Sequence, residues 1–136
     1  MQTLGQYPMK RMRRMRHDDF SRRLMRENVL TANDLILPVF VKEGERDREA
    51  IPTMPGVVRY TVDELVAECE KMVELGIPMV ALFPHIEDNL KTPDGIEAAN
   101  PEGLIPRTVK AIKAACPDLG IMCDVALDPY TTHGQD

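Results

Sequence analysis

Three short apolar runs, separated by two amphipathic stretches, constrain what this chain can fold into more than any other feature. The runs are Leu35-Ile36-Leu37-Pro38-Val39-Phe40-Val41, Met79-Val80-Ala81-Leu82-Phe83 and Gly120-Ile121-Met122-Cys123-Asp124-Val125-Ala126. Runs of strand length with little polar alternation suit strands covered on both faces, as in a parallel sheet. Pro38 places its own position at a strand start or a sheet edge, because it cannot donate to a ladder. Between the first two runs, Thr61-Val62-Asp63-Glu64 has the spacing of a capping box, with Thr61 as N-cap and Glu64 at the third helical position. The helix that follows carries Leu65, Val66, Cys69, Met72 and Val73 on one face and runs to about Leu75, where Gly76 ends it. Between the second and third runs, Asn100-Pro101-Glu102 supplies a cap, a first-turn proline and an acidic residue, and the helix stops near Cys116 before Pro117. The intervening stretches, Glu43 to Pro55 and Glu87 to Asn100, read as polar surface loops. Strand, helix, strand, helix, strand amounts to two βαβ units, hence an α/β fold with a parallel sheet and right-handed crossovers. A doubly wound sheet and a TIM (β/α)8 barrel both begin in this way. No Gly-x-Gly-x-x-Gly follows the first strand, so a nucleotide-binding reading lacks its phosphate cradle.

Ahead of the first strand the composition changes. Residues 1–26 hold eight Lys or Arg against two Asp, a balance of +6, whereas residues 27–136 hold nine against twenty, a balance of −11. Residues 1–28 therefore read as a basic arm ending in a short helix, Asp18 to Asn28, with Phe20, Leu24 and Met25 on one side. Residues 29–136 form the α/β body. The arm has no apolar core of the kind a secretory signal needs, and Asp18 and Asp19 speak against a transit peptide. No apolar run approaches membrane-spanning length, so no membrane partner is expected. Cys69, Cys116 and Cys123 lie at unequal spacing on apolar positions, which suits reduced, buried thiols in a cytoplasmic protein and no zinc pair.

The chemistry-bearing residues gather behind the third strand. Asp124, Asp128, His133 and Asp136 lie within thirteen positions, at the C-terminal end of a strand, where α/β folds house their sites. His85, just past the second strand, reads as structural.

Taken together, several segments resemble the porphobilinogen synthase (5-aminolevulinate dehydratase) family. They are Arg11-Met12-Arg13-Arg14, the first apolar run, Met54-Pro55-Gly56-Val57 with Arg59, Ala81-Leu82-Phe83-Pro84, and Asp124-Val125-Ala126-Leu127-Asp128-Pro129-Tyr130-Thr131-Thr132-His133-Gly134. The resemblance runs through nearly the whole chain in the family's order. It implies a TIM barrel, here its N-terminal arm and about the first three βα units, and a hydro-lyase that condenses two molecules of 5-aminolevulinate into porphobilinogen with loss of two waters. It further implies an arm that embraces a neighbouring subunit of a homo-oligomer. The Schiff-base lysines of the family belong to later strands, beyond Asp136, so the 136-residue chain on its own is expected to be inactive. Zinc-type members carry cysteines where Ala126, Asp128 and Asp136 stand here; carboxylates suit a hard cation such as Mg²⁺ and make zinc at this loop unexpected.

The site expectations follow from that resemblance and from side-chain chemistry. Asp124 and His133 are the expected catalytic residues, the first orienting a substrate amine or moving a proton, the second assisting proton traffic. Asp128 and Asp136 are the expected metal or water ligands. A structural carboxylate or a solvated loop is the competing account of each. Arg11, Arg13 and Arg14 are expected at a subunit contact; the arm has no aromatic residues interleaved among its arginines, which weighs against nucleic acid. A non-catalytic subunit that docks on full-length partners through the arm is the alternative function.

Overall fold

The structure, a computed structural model, describes residues 5–134. The chain divides into two compact units between Leu30 and Thr31. The first contains one helical turn, α1 (Arg14–His17), and a short helix, α2 (Asp19–Met25). The turn over Arg14–His17 was not signalled by periodicity. Asp18 lies extended between the two, and Ser21 Oγ donates back to the Asp18 carbonyl at 2.9 Å. Tyr7, Met9, Phe20 and Leu24 of this unit are exposed.

The second unit opens with a capping box, in which the Thr31 amide donates to Asp34 Oδ2 at 2.8 Å. It then forms β1 (Ile36–Val41), β2 (Arg48–Ala50), β3 (Val58–Tyr60), α3 (Val62–Glu74), β4 (Met79–Pro84), α4 (Leu104–Ala115) and β5 (Gly120–Cys123). The sheet order is β2-β3-β1-β4-β5. β1, β4 and β5 are parallel neighbours in chain order, with Leu37 opposite Val80 and Val80 opposite Ile121. Because both crossovers step in the same direction, right-handed connections put α3 and α4 on the same face, where they pack on one another. A doubly wound sheet would reverse direction and place helices on both faces. Stepping in one direction is the start of a barrel.

Beneath the helices lies the core. Val39, Val41, Val80 and Leu82 of the sheet meet Leu65, Cys69 and Met72 of α3 and Leu104 and Ile112 of α4. Val73, expected on the apolar face of α3, is half exposed at its rim. Gly76 takes φ +77 at the end of α3, a left-handed turn that costs any residue with a Cβ.

Several sequence expectations are corrected. The stretch after β1 is not all loop: β2 and β3 form an antiparallel pair, Glu49 facing Arg59, so the sheet is mixed rather than purely parallel. The capping box expected at Thr61 does not form. Thr61 is fully buried, accepting the Asp47 amide at 3.1 Å and donating to Asp63 at 2.6 Å, while Glu64 pairs with Arg48 at 2.6 Å. The two members are thus engaged by the end of the β1–β2 connection and by the first residue of β2. Asn100 caps a turn instead of a helix, accepting the Glu102 amide at 3.0 Å; α4 begins at Leu104 behind Gly103. The third strand ends at Cys123, earlier than expected, and Cys123 is exposed rather than buried. It is the register partner of buried Leu82, but on the outermost strand, where the cover of α3 and α4 runs out. Pro38 sits in a central strand, yet β3 begins pairing with β1 only at Phe40, so at Pro38 the strand has a partner on one side alone.

Candidate functional site

The segments after β4 and β5 meet at the C-terminal end of the sheet. Thr92 and Thr131 form an isolated parallel bridge: the Thr92 amide donates to the Tyr130 carbonyl at 3.1 Å, and the Thr132 amide to the Thr92 carbonyl at 3.2 Å. One glycine permits this approach, and a second permits the turn within the loop after β5. Gly95 has φ +64, and a Cβ there would stand 3.2 Å from the Thr131 methyl. A Cβ on Gly134 would collide with the Asp128 carbonyl oxygen. Each loop has only short 3-10 turns of its own, Asp88–Leu90 and Ile96–Ala99 in the first and Asp128–Tyr130 in the second, and the Thr92–Thr131 bridge ties the two together.

Asp124 directly follows β5 and lines a cleft of ≈ 610 Å³, together with Glu97, the first turn of α4 from Leu104 to Pro106, and Tyr130. Burial, and then Glu97, push the Tyr130 phenol up, further from ionisation. A second cleft, ≈ 470 Å³, is lined by Asp94, Asp128, Thr131 and His133. Leu127 and Asp94 line both clefts, so the two adjoin. The structure thus brings Asp128 and His133 together and puts Asp124 next door. Asp136 lies outside the described residues. Arg11, Arg13 and Arg14 belong to the first unit and are exposed, the Arg11 guanidinium 5.6 Å from the centre of the Tyr7 ring.

Asp94 is a residue that the sequence reading missed. Its carboxylate accepts Thr92 Oγ1 at 2.6 Å, which holds its pKa below the usual value, and the Ile96 amide closes on the same hydroxyl at 3.2 Å. The only sequence signal was a Thr-Pro-Asp-Gly turn, which is common in loops. A hard cation would find oxygen donors here in Asp94 and Asp128. Among the described residues, no three His, Cys, Asp or Glu side chains gather closely enough to hold a metal by themselves. A thiolate set for zinc is also missing from the loop, since Ala126 offers no donor and Cys123 does not line the cleft with Asp128.

The lysines of the second unit are occupied. Lys42 pairs with Asp47 at 2.6 Å and Glu49 at 2.8 Å, which raises its pKa, the opposite of what a Schiff-base amine needs. Lys71 pairs with Glu68, Lys91 with Asp88 and Lys110 with Glu102, while Lys113 donates to the Pro117 and Leu119 carbonyls.

Residues 9–136 match the family described as delta-aminolevulinic acid dehydratase. The dehydratase of Bradyrhizobium diazoefficiens is 49% identical over 126 residues, which cover 93% of this chain and 36% of the relative. That of Chlamydia pneumoniae is 43% identical over 127 residues, covering 93% and 38%. A crystal structure of the Toxoplasma gondii ME49 enzyme in complex with its reaction product porphobilinogen superposes with a TM-score of 0.82 at 40% identity, over 90% of this chain and 35% of that one. The chain therefore spans somewhat over a third of the length of these relatives.

Proposed function

Because this chain belongs to the delta-aminolevulinic acid dehydratase family, we propose that it supplies the first barrel strands and the acidic loop of a porphobilinogen synthase. Such an enzyme joins two molecules of 5-aminolevulinate asymmetrically, with loss of two waters, to give porphobilinogen. The observation that carries the reading is the pair of adjoining clefts, with Asp124 in one and Asp128 and His133 in the other. Both stand at the C-terminal end of the strands, where barrel enzymes do their chemistry.

In this proposal the Asp124 carboxylate accepts the ammonium group of a substrate and holds it against the Tyr130 wall. His133, across the shared Leu127 and Asp94 partition, moves a proton to or from the water released. Asp128 and Asp136 would hold a Mg²⁺ ion, which would supply charge stabilisation when bound; carboxylate ligands make zinc an unsuitable occupant. Every described lysine of the second unit is bound to a carboxylate or a carbonyl, which supports the expectation that the covalent lysines come from other sequence and that the isolated chain is inactive. Arg11, Arg13 and Arg14 contact a neighbouring subunit of a homo-oligomer in the cytoplasm, and neither nucleic acid nor membrane takes part. No helix among the described residues is long and apolar enough to cross a membrane.

The test is complementation. The chain is mixed with a polypeptide carrying the remaining strands of the Bradyrhizobium relative, and porphobilinogen is assayed. Product should form only in the mixture and vanish with Asp124→Asn in this chain. Product from this chain alone, or an Asp124→Asn mixture of full activity, would refute the assignment. A docking, non-catalytic subunit is the second reading, favoured by the exposed Met, Phe and Leu side chains of the first unit. Under that reading the chain co-purifies with full-length dehydratase, and deletion of residues 1–16 abolishes this, while the complementation mixture makes no product.

A further inference from the structure

Methionine is unevenly spread along this chain. Five of its nine methionines fall in residues 1–26, and Met9, Met12 and Met15 recur at every third position. Neither the dehydratase chemistry nor the packing of the second unit makes use of them. Met9, Met12, Met15 and Met25 are all exposed, whereas Met72 belongs to the core. A thioether in a core is an adaptable filler. One in water packs against nothing, and its sulfur is open to two-electron oxidation.

Cations surround these three sulfurs in the chain. Lys10, Arg11, Arg13, Arg14 and Arg16 stand beside or between them, and no carboxylate occurs before Asp18. The two carboxylates that follow have other partners: Asp18 pairs with His17 at 2.8 Å, and Asp19 with Arg22 at 3.5 Å and Arg23 at 3.8 Å. Side-chain hydrogen bonds of the first unit come from His17, Ser21 and Arg22. Among the described residues, the side chains of Arg13, Arg14 and Arg16 therefore keep their N–H donors for solvent, and Arg11 lies over the Tyr7 ring. A run of uncompensated cations raises the local concentration of anions. An anion that can also deliver an oxygen atom would meet thioethers there.

We propose that Met9, Met12 and Met15 form a modification site for anionic peroxy-acids, which convert their thioethers to sulfoxides. The sulfur lone pair attacks the outer peroxy oxygen and an S–O bond forms. The O–O bond breaks, its electron pair leaves with the parent acid anion, and the proton on the transferred oxygen passes to water. Sulfur is oxidised and the peroxy-acid is reduced, so no further reactant is needed. The product suits its setting as well. A sulfoxide oxygen is a strong acceptor, and the neighbouring guanidinium groups are donors for it. Oxidation turns three apolar side chains of the first unit polar.

Two methionines separate this site from simple exposure. Met15 is 46% exposed and Met122 47%. No Lys or Arg follows Lys113, however, and Asp124 and Asp128 stand just beyond Met122. The experiment uses the 136-residue chain with Cys123→Ser, so that no thiol competes beside Met122. It is treated with limiting peroxymonosulfate, and sulfoxides are counted by peptide mass spectrometry, with unmodified Met72 as the internal standard for an intact core. At low salt Met15 should oxidise about fivefold faster than Met122. The ratio should fall towards unity in 1 M sodium nitrate, where charges are screened within about 3 Å. Hydrogen peroxide, which is neutral, should attack both at similar rates. Replacing Arg13, Arg14 and Arg16 together by Gln should also bring the peroxymonosulfate ratio near unity; if that variant loses α1, the salt series carries the test. The proposal is overturned by equal rates at low salt, by a ratio that salt leaves unchanged, or by the same preference with hydrogen peroxide.

Discussion

The two faces of the sheet are made by alternate residues of the same strands, yet they have opposite fates. On the helix side, Val41 and Val80 are 0% exposed, Leu82 1% and Val39 4%. On the other side, Ile36 is 48% exposed, Met122 47% and Phe83 37%. Side chains of similar hydrophobicity therefore contribute very differently to stability. The helix side closes because both crossovers lie on it; the opposite side is the one a closed barrel would turn inward. Stability in this chain is concentrated on one face, while Phe40 and Phe83 pair their rings on the other.

The widest expected gap is in thiol reactivity. Cys69 lies in the helix-side core, its pKa pushed up to about 12 by burial, and Cys116 is buried beside it in the same core. Cys123 lies beyond the edge of the helix cover and is exposed. Alkylation of the native chain should modify Cys123 about a thousandfold faster than the other two, which wait for unfolding. Equal rates, followed by peptide mass spectrometry, would show that the helix layer does not seal its face. Truncating that layer comes next. Leu65→Ala, at a fully buried position, should cost about 2–5 kcal/mol in urea unfolding, enough to threaten the fold. At the end of the same helix, Gly76→Ala should cost about 1–2 kcal/mol from the left-handed backbone alone, because its Cβ would meet only Ala32 at an ordinary 3.6 Å. Met122→Ala on the open face should cost under about 1 kcal/mol; a loss as large as that of Leu65→Ala would mean that this face is covered after all.

The smallest expected effect is a pH dependence at the β2–β3 pair. Hydrogen bonds from Lys42 and then Arg59 hold the Glu49 carboxyl below its ordinary range. A folded-state pKa that is depressed contributes stability fully above the unfolded pKa and loses it as pH falls through the folded one. The urea midpoint should therefore slip as pH drops below about 4.5, and Glu49→Gln should flatten that part of the profile. Glu49 is exposed enough for salt to weaken the effect.

What the sequence made legible was the helix side. Apolar runs gave β1 and β4, and Gly76 gave the end of α3, because burial and backbone sterics act on single residues or on short periodic sets. The β2–β3 pair was hidden for the opposite reason. Arg48-Glu49-Ala50 and Val58-Arg59-Tyr60 have no strand-like apolar alternation, and their pairing relies on Glu49 meeting Arg59 and on the Arg48 guanidinium lying 5.3 Å from the Tyr60 ring centre. Those are contacts between residues distant in the chain. Thr61 failed as a cap for a similar reason: Asp47, fourteen positions upstream, competes for its hydroxyl. At the acidic loop, residue type, position and the family resemblance singled out Asp124, Asp128 and His133 as candidates, whereas Asp94 joins the cleft of Asp128 and His133 through a loop–loop contact that only the folded chain displays.

That contact sets how the region can move. With Thr92 clasping the backbone on both sides of Thr131, the segment bearing Asp94 and the segment bearing Asp128 and His133 cannot breathe separately; one cannot swing out without breaking the hydrogen bonds to the other. The amides of Thr92 and Thr132 should exchange with solvent deuterium at a common rate set by a single opening event. A ligand that rests on one segment would then quiet both.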